Sequence, residues 1–287
     1  MMARSSSFLR ITGRTEAIFI FSRLNGTDWS IPEKLSGEVN SLSWEGSASL
    51  SADEHTLYFS SERPGGLGGK DIYRASLLKD GSWGEIKNLG AEVNTSFDDD
   101  APFIHPDGKT LLFSSKGRNS IGGYDVFSSV LKNNGEWSTA LNLGYPVNTT
   151  DEDIYFVLSA DGNRGYYASG KAGGYGLADL YVVDMPENYN KPVVAMIKGT
   201  TMLDEKMVTA EISVKITDLE KEYGSFKSSV YGNYLFNLPP GHCYEITYKM
   251  ENYPDQVQTL DLSGQKDFRE YEFQINFSVR NIMAQKD

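Results

Sequence analysis

Cysteine is almost absent from this chain of 287 residues, since Cys243 is the only one. A single cysteine excludes an intrachain disulfide and any zinc or iron–sulfur site built from several thiolates. Histidine is nearly as scarce, with His55, His105 and His242, and neither His-Glu-x-x-His nor Gly-x-Ser-x-Gly occurs. His242 and Cys243 are neighbours, and adjacent side chains on a strand point to opposite faces. The sequence therefore does not favour a paired Cys–His nucleophile, and we expect no enzyme activity.

Long apolar runs and excess positive charge are also lacking. No stretch of about 18 apolar residues occurs, so we expect no membrane-spanning helix. The first residues have no apolar segment of the kind that signal peptides carry, so we expect no export signal in this sequence, which fits a cytoplasmic protein or a piece of a longer one. The 27 Lys and Arg against 39 Asp and Glu give a net charge of −12. That charge repels a phosphate backbone and argues against a nucleic-acid partner.

What the sequence does contain is an internal repeat. Motifs of the type Asp-Ile-Tyr begin at Asp71, Asp125 and Asp179, which are equally spaced, and we call this spacing the repeat interval. Four other markers keep the same interval: the tryptophans Trp29, Trp83 and Trp137; the Val-Asn pairs that end in Asn40, Asn94 and Asn148; the leucines Leu35, Leu89 and Leu143; and the turn aspartates Asp53, Asp107 and Asp161. Such a period indicates repeat architecture, in which each copy buries its apolar faces against its neighbours.

Each copy carries four strand signals that are separated by turns. In the second copy they cover residues 83–89, 101–105, 110–115 and 124–130. Turns such as Asp80-Gly81 and Asn134-Gly135 supply the positive φ angles of tight hairpins. We therefore predict an all-β fold, with a partial β-propeller of three four-stranded blades over residues 17–185. Residues 17–22 are interpreted as the last strand of an earlier blade, and residues 1–16 as an irregular lead-in.

The repeat markers stop after residue 185, where a different pattern begins. Pro186 and Pro192 bound a predicted linker. Residues 193–279 then contain short runs that alternate apolar and polar side chains, as at Ala210, Ile212 and Val214. Such alternation predicts strands with one buried face, and about seven of them predict a transthyretin-like or immunoglobulin-like β-sandwich. Residues 280–287 are a predicted tail.

The order of motifs within one copy resembles a known repeat. It runs Ser-x-Asp-Gly-x-x-Leu-x-Phe-Ser-Ser, a Gly-rich link, Asp-Ile-Tyr, Gly-x-Trp and Leu-Gly-x-x-Val-Asn. This order resembles the WD40-like propeller repeat that is found in TolB and in OmpA-family proteins of Bacteroidetes-type bacteria. The resemblance covers residues 17–185 and implies a propeller whose motif has no catalytic role.

The region after the linker resembles a second known domain. Residues 232–241, Gly-Asn-Tyr-Leu-Phe-Asn-Leu-Pro-Pro-Gly, are similar to part of the carboxypeptidase regulatory-like domain, which is not itself a peptidase. The two regions in this order resemble the middle of periplasmic OmpA-family proteins, including a component of the type IX secretion apparatus. The resemblance implies a periplasmic, outer-membrane-associated protein with partners in an envelope assembly. No residues here match a peptidoglycan-binding OmpA-like domain.

Acidic residues recur at one position of the repeat, just before the first strand of each copy. In a propeller this position would lie toward one mouth of the axial channel, where carboxylates could bind Ca²⁺ or a basic partner loop. Alternatively, one carboxylate per copy accepts backbone N–H bonds while the others are solvated, which is the interpretation we favour. We predict no catalytic, cofactor or metal site, and these are the only candidates: Glu45, Asp98, Asp99, Asp100, Asp151, Glu152 and Asp153.

The predicted function is a non-catalytic protein-interaction scaffold. The alternatives are a carbohydrate- or Ca²⁺-binding propeller, or the propeller part of a sialidase-like or peptidase-like hydrolase. A hydrolase would need a cluster of arginines with an acid and nucleophile, or an attached catalytic domain. Three blades leave open sheet edges, whereas propellers usually close with about 4–8 blades. We therefore also predict a truncated chain, or two copies that associate through these edges.

Overall fold

The computed structural model describes residues 6–12, 17–25, 28–187 and 189–278, and all the regular structure in these ranges is β. The predicted all-β fold class is confirmed. Contacts divide the chain into two compact units, one within residues 8–21 and 32–192 and the other within residues 1–7, 22–31 and 193–287. No helix in the described ranges is long and apolar enough to cross a membrane.

Short strands joined by tight turns make up the repeat region. Most are six or seven residues long, as expected for strands punctuated by Gly and Asp. In chain order they are β1 (Ser6–Thr12), β2 (Ala17–Asn25), β3 (Asp28–Trp29), β4 (Glu33–Lys34), β5 (Glu45–Leu50), β6 (Thr56–Ser61), β7 (Asp71–Leu77), β8 (Trp83–Asn88), β9 (Asp99–Ile104), β10 (Thr110–Ser115), β11 (Asp125–Val130), β12 (Leu141–Asn142), β13 (Asp153–Leu158), β14 (Arg164–Ser169) and β15 (Asp179–Asp184).

Three antiparallel sheets follow one another in the chain, and we call each a blade. The first blade is β5-β6-β7-β8, the second is β9-β10-β11-β12 and the third is β13-β14-β15. Strand β9 lies beside β5, and β13 lies beside β9. The first strands of successive blades are therefore neighbours, as in a propeller, and the predicted partial propeller is confirmed.

Two details of the blades differ from the prediction. The strand that carries Trp83 pairs with β7 and so ends the first blade, although the sequence analysis groups it with the strands that follow it. A tight hairpin joins β7 to β8, and strands joined in this way pair with each other. The third blade has three strands where four were predicted. The segment after β15 carries Pro186 and Pro192 in place of a tryptophan strand, and proline cannot donate to a strand ladder.

The chain begins with a sheet in which β2 lies beside β1, β3 and β4. Strand β2 pairs with β4 as the outer two strands of a blade do, but the register is shifted by one residue, since Ile20 lies opposite Lys34 whereas Tyr73 lies opposite Asn88. The interpretation of residues 17–22 as the last strand of an earlier blade stays a prediction. Residues 6–12 form β1, however, where an irregular lead-in was predicted. The rest of that lead-in, residues 1–5 and 13–16, lies outside the described residues.

Aromatic and aliphatic side chains fill the spaces between successive sheets. Phe19 of β2 meets Phe59 of β6 edge to face, with ring centroids 5.7 Å apart. Tyr58 of β6 meets Trp137 of the second blade in the same way at 6.0 Å. Val126 packs in a cluster with Phe156 of the third blade. Each interface buries the apolar faces that a single sheet cannot bury alone.

Residues 193–278 form a sandwich of two four-stranded sheets. In one sheet β16 pairs with β17, β20 and β23, and the other has the order β19-β18-β21-β22. Phe226 and Phe236, from opposite sheets, stack with centroids 4.5 Å apart. The strands are β16 (Ala195–Leu203), β17 (Lys206–Met207), β18 (Glu211–Ile216), β19 (Lys221–Lys227), β20 (Asn233–Leu238), β21 (Cys243–Lys249), β22 (Gln256–Asp261) and β23 (Arg269–Phe277).

The parallel pair β16 and β23 closes the first sheet of the sandwich. A Cβ at Gly199 would lie 1.8 Å from the carbonyl oxygen of Phe273, so only glycine allows this approach. The hydroxyls of Tyr234 and Tyr248 lie 3.1 Å apart in the core. The predicted tail, residues 280–287, lies outside the described residues.

Candidate functional site

Three of the predicted acidic residues occupy the same place in successive blades. Glu45, Asp99 and Asp153 begin β5, β9 and β13, and all three are fully buried. The carboxylate of Asp99 accepts hydrogen bonds from the backbone N–H of Thr95 at 2.6 Å and from its hydroxyl at 3.0 Å. Asp153 accepts the same pair from Thr149, at 2.6 and 2.9 Å. These two carboxylates hold the turn by which the chain enters the innermost strand.

The carboxylate of Glu45, at the equivalent position in the first blade, is bonded to other donors. It accepts a hydrogen bond from the hydroxyl of Ser41 and pairs with the guanidinium of Arg63 at 3.3 Å. Arg63 also lies over the ring of Phe59, 4.8 Å from its centroid. Burial lowers the pKa of Arg63, and the charge of Glu45 partly offsets that effect.

The donors to these carboxylates are a feature that the sequence analysis missed. Ser41, Thr95 and Thr149 recur at the repeat interval, and each lies one turn before its acid in the chain. A Ser or Thr at a fixed distance before an acid is a common local hydrogen-bonding pattern. A Ser or Thr that recurs at this position was therefore a sequence signal for the hydrogen bonds that the structure shows.

Burial has an electrostatic consequence at Asp99. It raises the pKa of this carboxyl to about 6, and the nearby Ser115 and Thr95 donors only partly counter it. One carboxylate oxygen each of Glu45, Asp99 and Asp153 is buried without a hydrogen-bond partner in the described structure. At Asp99 such an oxygen disfavours the charged form, because burial removes water and nothing replaces it.

Asp98 and Glu152 tie each blade to the preceding one. Asp98 accepts from the backbone N–H of Lys70 at 3.3 Å, and Glu152 accepts from that of Tyr124 at 2.9 Å. A Cβ on the adjacent Gly69 would lie 2.5 Å from the Asp98 carboxylate. The Gly-rich links therefore contain glycine here because the carboxylate of the next blade occupies the space.

Asp100 joins the first and second blades. Its carboxylate accepts from the hydroxyl of Ser60 at 2.6 Å and pairs with Lys70 at 3.0 Å. Burial raises the pKa of Asp100, but the bonds from Ser60 and Lys70 outweigh it, and the pKa lies below its ordinary value. The equivalent positions hold Gly46 and Ile154, so this contact occurs only once in the repeat.

The predicted acidic residues therefore serve blade structure and the junctions between blades. Asp151 lies half-buried, and its backbone carbonyl accepts from Gly123 at 3.1 Å. Within the residues that the structure describes, no group of three or more His, Cys, Asp or Glu side chains is placed to hold a metal ion.

The side chains of His105, His242 and Cys243 each have a different hydrogen-bond partner. His105 is fully buried in a turn, with Nδ1 3.2 Å from the backbone nitrogen of Asp107. The ring of His242 bonds to Asp218 at 2.7 Å, whereas the thiol of Cys243 bonds to Asp261 at 3.5 Å. Desolvation and the Asp261 carboxylate raise the pKa of this thiol, which is opposite to what a nucleophilic thiolate needs.

Each Gly-rich link folds into a loop whose backbone is hydrogen-bonded to the side chain of the aspartate that begins the next strand. We call residues 62–70, 116–124 and 170–178 the tip loops. The side chain of Asp71 accepts from the backbone N–H of Leu67, that of Asp125 from Ile121 at 2.8 Å, and that of Asp179 from Tyr175 at 2.7 Å. The bonded residue is apolar or aromatic each time, and only its main chain is engaged by the aspartate.

These apolar side chains lie at the same end of the blades. Leu67, Ile121 and Tyr175 are 45%, 55% and 103% exposed. Every tip loop joins the second strand of a blade to its third, and in antiparallel sheets those junctions share one end. The third tip loop adds the exposed Leu177, and the links that lead into the blades at this end add three more exposed residues: Leu42, Phe97 and Tyr145.

The turns at the opposite end are polar. They comprise residues 51–55, 78–82, 105–109, 131–136 and 159–163, and none of the large apolar residues that are exposed in the described structure falls within them. Asp, Asn, Gly and Lys dominate these turns for reasons of backbone geometry. The blades therefore have one apolar end and one polar end.

Comparison with known proteins gives structural neighbours only. Neither a scan of protein families nor a search of curated proteins finds a match to this chain. Solved structures with a similar strand arrangement include a TolB-type protein from Agrobacterium tumefaciens, at 15% identity over 63% of this chain and 58% of that one, with a TM-score of 0.43. TolB-type proteins are among its neighbours in fold.

Two further neighbours show the range of these matches. TolB from Acinetobacter baumannii shares 13% identity over 91% of this chain and 50% of its own, with a TM-score of 0.40. An α-L-arabinofuranosidase from Lactobacillus brevis shares 13% over 61% and 64%, with a TM-score of 0.43. The chain spans about half to two thirds of the length of these three proteins. They do not distinguish a binding protein from an enzyme.

Proposed function

We propose that this chain is a non-catalytic, protein-binding scaffold module. The observation that carries the proposal is the difference between the two ends of the blades. Each tip loop presents an exposed apolar side chain, and the turns at the other end present none in the described structure. Exposed apolar residues gathered on one surface are typical of protein interaction sites.

The recurring chemistry of the repeat supports a scaffold over an enzyme. Each recurring carboxylate that the structure describes in detail holds a turn, a tip loop or a junction between blades. The arginines are dispersed, with Arg63 on Glu45, Arg118 on the carbonyl of Ala91 and Arg164 on Asp184. A hydrolase site of the sialidase type would need such groups to converge.

We further propose that the module belongs to a periplasmic, outer-membrane-associated protein of the OmpA family. The support is the resemblance of the repeat motif and of residues 232–241 to that family. A two-sheet sandwich after the propeller is compatible with a regulatory-like domain. The partners would then be other proteins of an envelope assembly.

Site-specific photo-crosslinking tests the proposed binding end. A photoreactive amino acid replaces Tyr175 or Ile121 in the tip loops, and in matched controls it replaces Asp80 or Asn134 at the polar end. The protein is expressed in its native cells and irradiated there. Discrete protein adducts from the tip-loop positions alone are expected, because only that end offers apolar contacts. Equal adducts from both ends, or none from either, would contradict the proposal.

A further inference from the structure

The third blade lacks the strand that completes the two blades before it. Strand β8 pairs with β7, and β12 pairs with β11. Among the described residues nothing pairs with β15 on the side away from β14. The outer edge of β15 is therefore open among these residues.

In the two complete blades, the segment that follows the third strand does more than add a fourth. In the second blade the amide of Asn148 accepts from the backbone N–H of Val126 at 2.7 Å and donates to its carbonyl at 2.9 Å. In the first blade Asn94 makes the same two bonds to Ile72, at 2.8 and 2.9 Å. The Val-Asn motif of each repeat thus satisfies both polar groups of one residue on the third strand.

Apolar contacts accompany these hydrogen bonds. Val93 shares a core cluster with Ile72, and Val147 shares one with Val126. Ile72 and Val126 are both 0% exposed, and their clusters also include residues of the next blade, Ile104 and Phe113 for Ile72 and Phe156 for Val126. The asparagine and the valine before it therefore act together, one on the backbone and the other on the side chain.

Leu180 occupies the same position in the third blade without this cover. It lies one repeat interval after Val126, yet 89% of it is exposed, and its neighbour Val182 is 61% exposed. No asparagine in the described structure bonds to its backbone as Asn148 does to Val126. By the alternation of an antiparallel ladder, the N–H and C=O groups of both residues face the open edge.

We propose that the edge of β15 binds an extended segment of another polypeptide that carries the outer-strand motif of this repeat. That motif is Trp, then Asn-Leu-Gly-x-x-Val-Asn, as in residues 83–94. The segment adds to the sheet as a fourth strand, its valine covers Leu180, and its asparagine bonds to the backbone of Leu180. Strand addition of this kind takes affinity from main-chain bonds and specificity from side-chain contacts. The site is distinct from the tip loops and does not depend on the function proposed for them.

A labelled peptide with the sequence of residues 80–95 tests the proposal against the full-length chain. Fluorescence anisotropy should show saturable binding. A control peptide, in which the residues corresponding to Val93 and Asn94 are Asp and Ala, should bind at least about tenfold more weakly, since both the apolar cover and the amide bonds are lost. Hydrogen exchange should show the amides of Leu180 and Val182 becoming protected when the first peptide is added.

Variants of the chain locate the binding to β15. Leu180→Asp should weaken binding at least about tenfold without loss of stability, because Leu180 is exposed. Val257→Asp is the matched control, since Val257 is an exposed valine on the edge strand β22 of the sandwich. It should leave binding unchanged. Absence of saturable binding, equal binding of both peptides, or protection of a strand other than β15 would each overturn the proposal.

Discussion

The side-chain amide of Asn148 replaces a strand at one point of the second blade. It satisfies the buried N–H and C=O of Val126, and Asn148 is itself 1% exposed. Few side chains other than asparagine carry a donor and an acceptor so close to the backbone. This geometry explains why the Val-Asn pair recurs in the repeat.

Asn148→Ala should destabilise the protein by about 1–3 kcal/mol, because it leaves the buried N–H of Val126 without a partner, whereas the Val126 carbonyl keeps its bond from the N–H of Leu143 at 3.0 Å. Chemical denaturation followed by circular dichroism measures the change. Asn134→Ala, in an exposed turn, is the control and should cost below about 1 kcal/mol. A loss as small at position 148 as at 134 would contradict the role assigned to the amide.

Asp99 gives the protein a specific dependence on pH. Burial raises the pKa of this carboxyl from 3.8 to about 6, so the folded state prefers the protonated form. Its contribution to stability is fully present below pH 3.8 and is lost as pH rises through about 6. The unfolding free energy of the wild type relative to Asp99→Asn should therefore fall by about 2–3 kcal/mol between pH 4 and pH 7.

Denaturation of both proteins across this pH range measures the difference. Asp98→Asn controls for the loss of a neighbouring carboxylate at the blade junction. A wild-type-minus-variant difference that does not change with pH would show that Asp99 titrates as an exposed carboxyl does.

At the scale of elements, the tryptophan strands fix each blade to the loop that precedes it. The backbone of Trp83 bonds to Ser36 and Glu38, at 3.2 and 2.9 Å. Its side chain is 7% exposed in the core beside Phe59 and Leu57. Strand β8 therefore pairs with β7 of its own blade along one edge. At Trp83 its other edge bonds to the loop that precedes the blade.

Trp83→Ala should cost about 3–5 kcal/mol, since it opens a cavity in that core. Trp29 holds the corresponding sequence position but is 47% exposed, so Trp29→Ala should cost about 1 kcal/mol. Equilibrium unfolding in guanidinium compares the two variants. Similar losses would mean that position within the repeat, and not burial, decides the role of each tryptophan.

The repeat interval predicts strands well but cannot assign them to blades. A period has no natural starting point, so the strand at Trp83 fits equally at the end of one copy or the start of the next. Hairpin pairing decides the question, and it places β8 with β7. The shortened third blade was open to prediction, because Lys191 lies where the next tryptophan would fall.

For the carboxylates too, the sequence predicts where the residues lie but not what their side chains bond to. Their recurrence placed Glu45, Asp99 and Asp153 at the starts of first strands, and the structure agrees. What the pattern of acids alone left open was whether they converge, since convergence depends on the direction of each side chain. Hydrogen bonds from the preceding Thr residues hold the carboxylates of Asp99 and Asp153 within their own blades.

At the scale of the molecule, the buried residues of the sandwich form a core of their own. The members of this core cluster lie between Ala195 and Phe277. Tyrosines contribute much of this core, and burial raises the pKa of Tyr234 to about 12. The hydroxyls of Tyr234, Tyr244 and Tyr248 therefore stay protonated across the physiological pH range, and each is hydrogen-bonded.

Ile246→Ala should lower the stability of the sandwich by about 2–5 kcal/mol, since Ile246 is fully buried in that core. Hydrogen exchange should show faster exchange in β18, β20 and β21. The amides of β9 and β10 should keep their protection, because their side chains belong to a different cluster. A parallel loss of protection in β9 would indicate that the two cores unfold together.

In the tip loops, the hydrogen bonds that hold the backbone do not involve the side chains that the loops expose. The carboxylates of Asp71, Asp125 and Asp179 grip main-chain nitrogen, which every residue other than proline offers alike. Leucine, isoleucine and tyrosine are therefore interchangeable at the apex as far as folding is concerned. Substitutions at the apex can therefore change the exposed surface of one loop at a time, while the framework beneath stays the same.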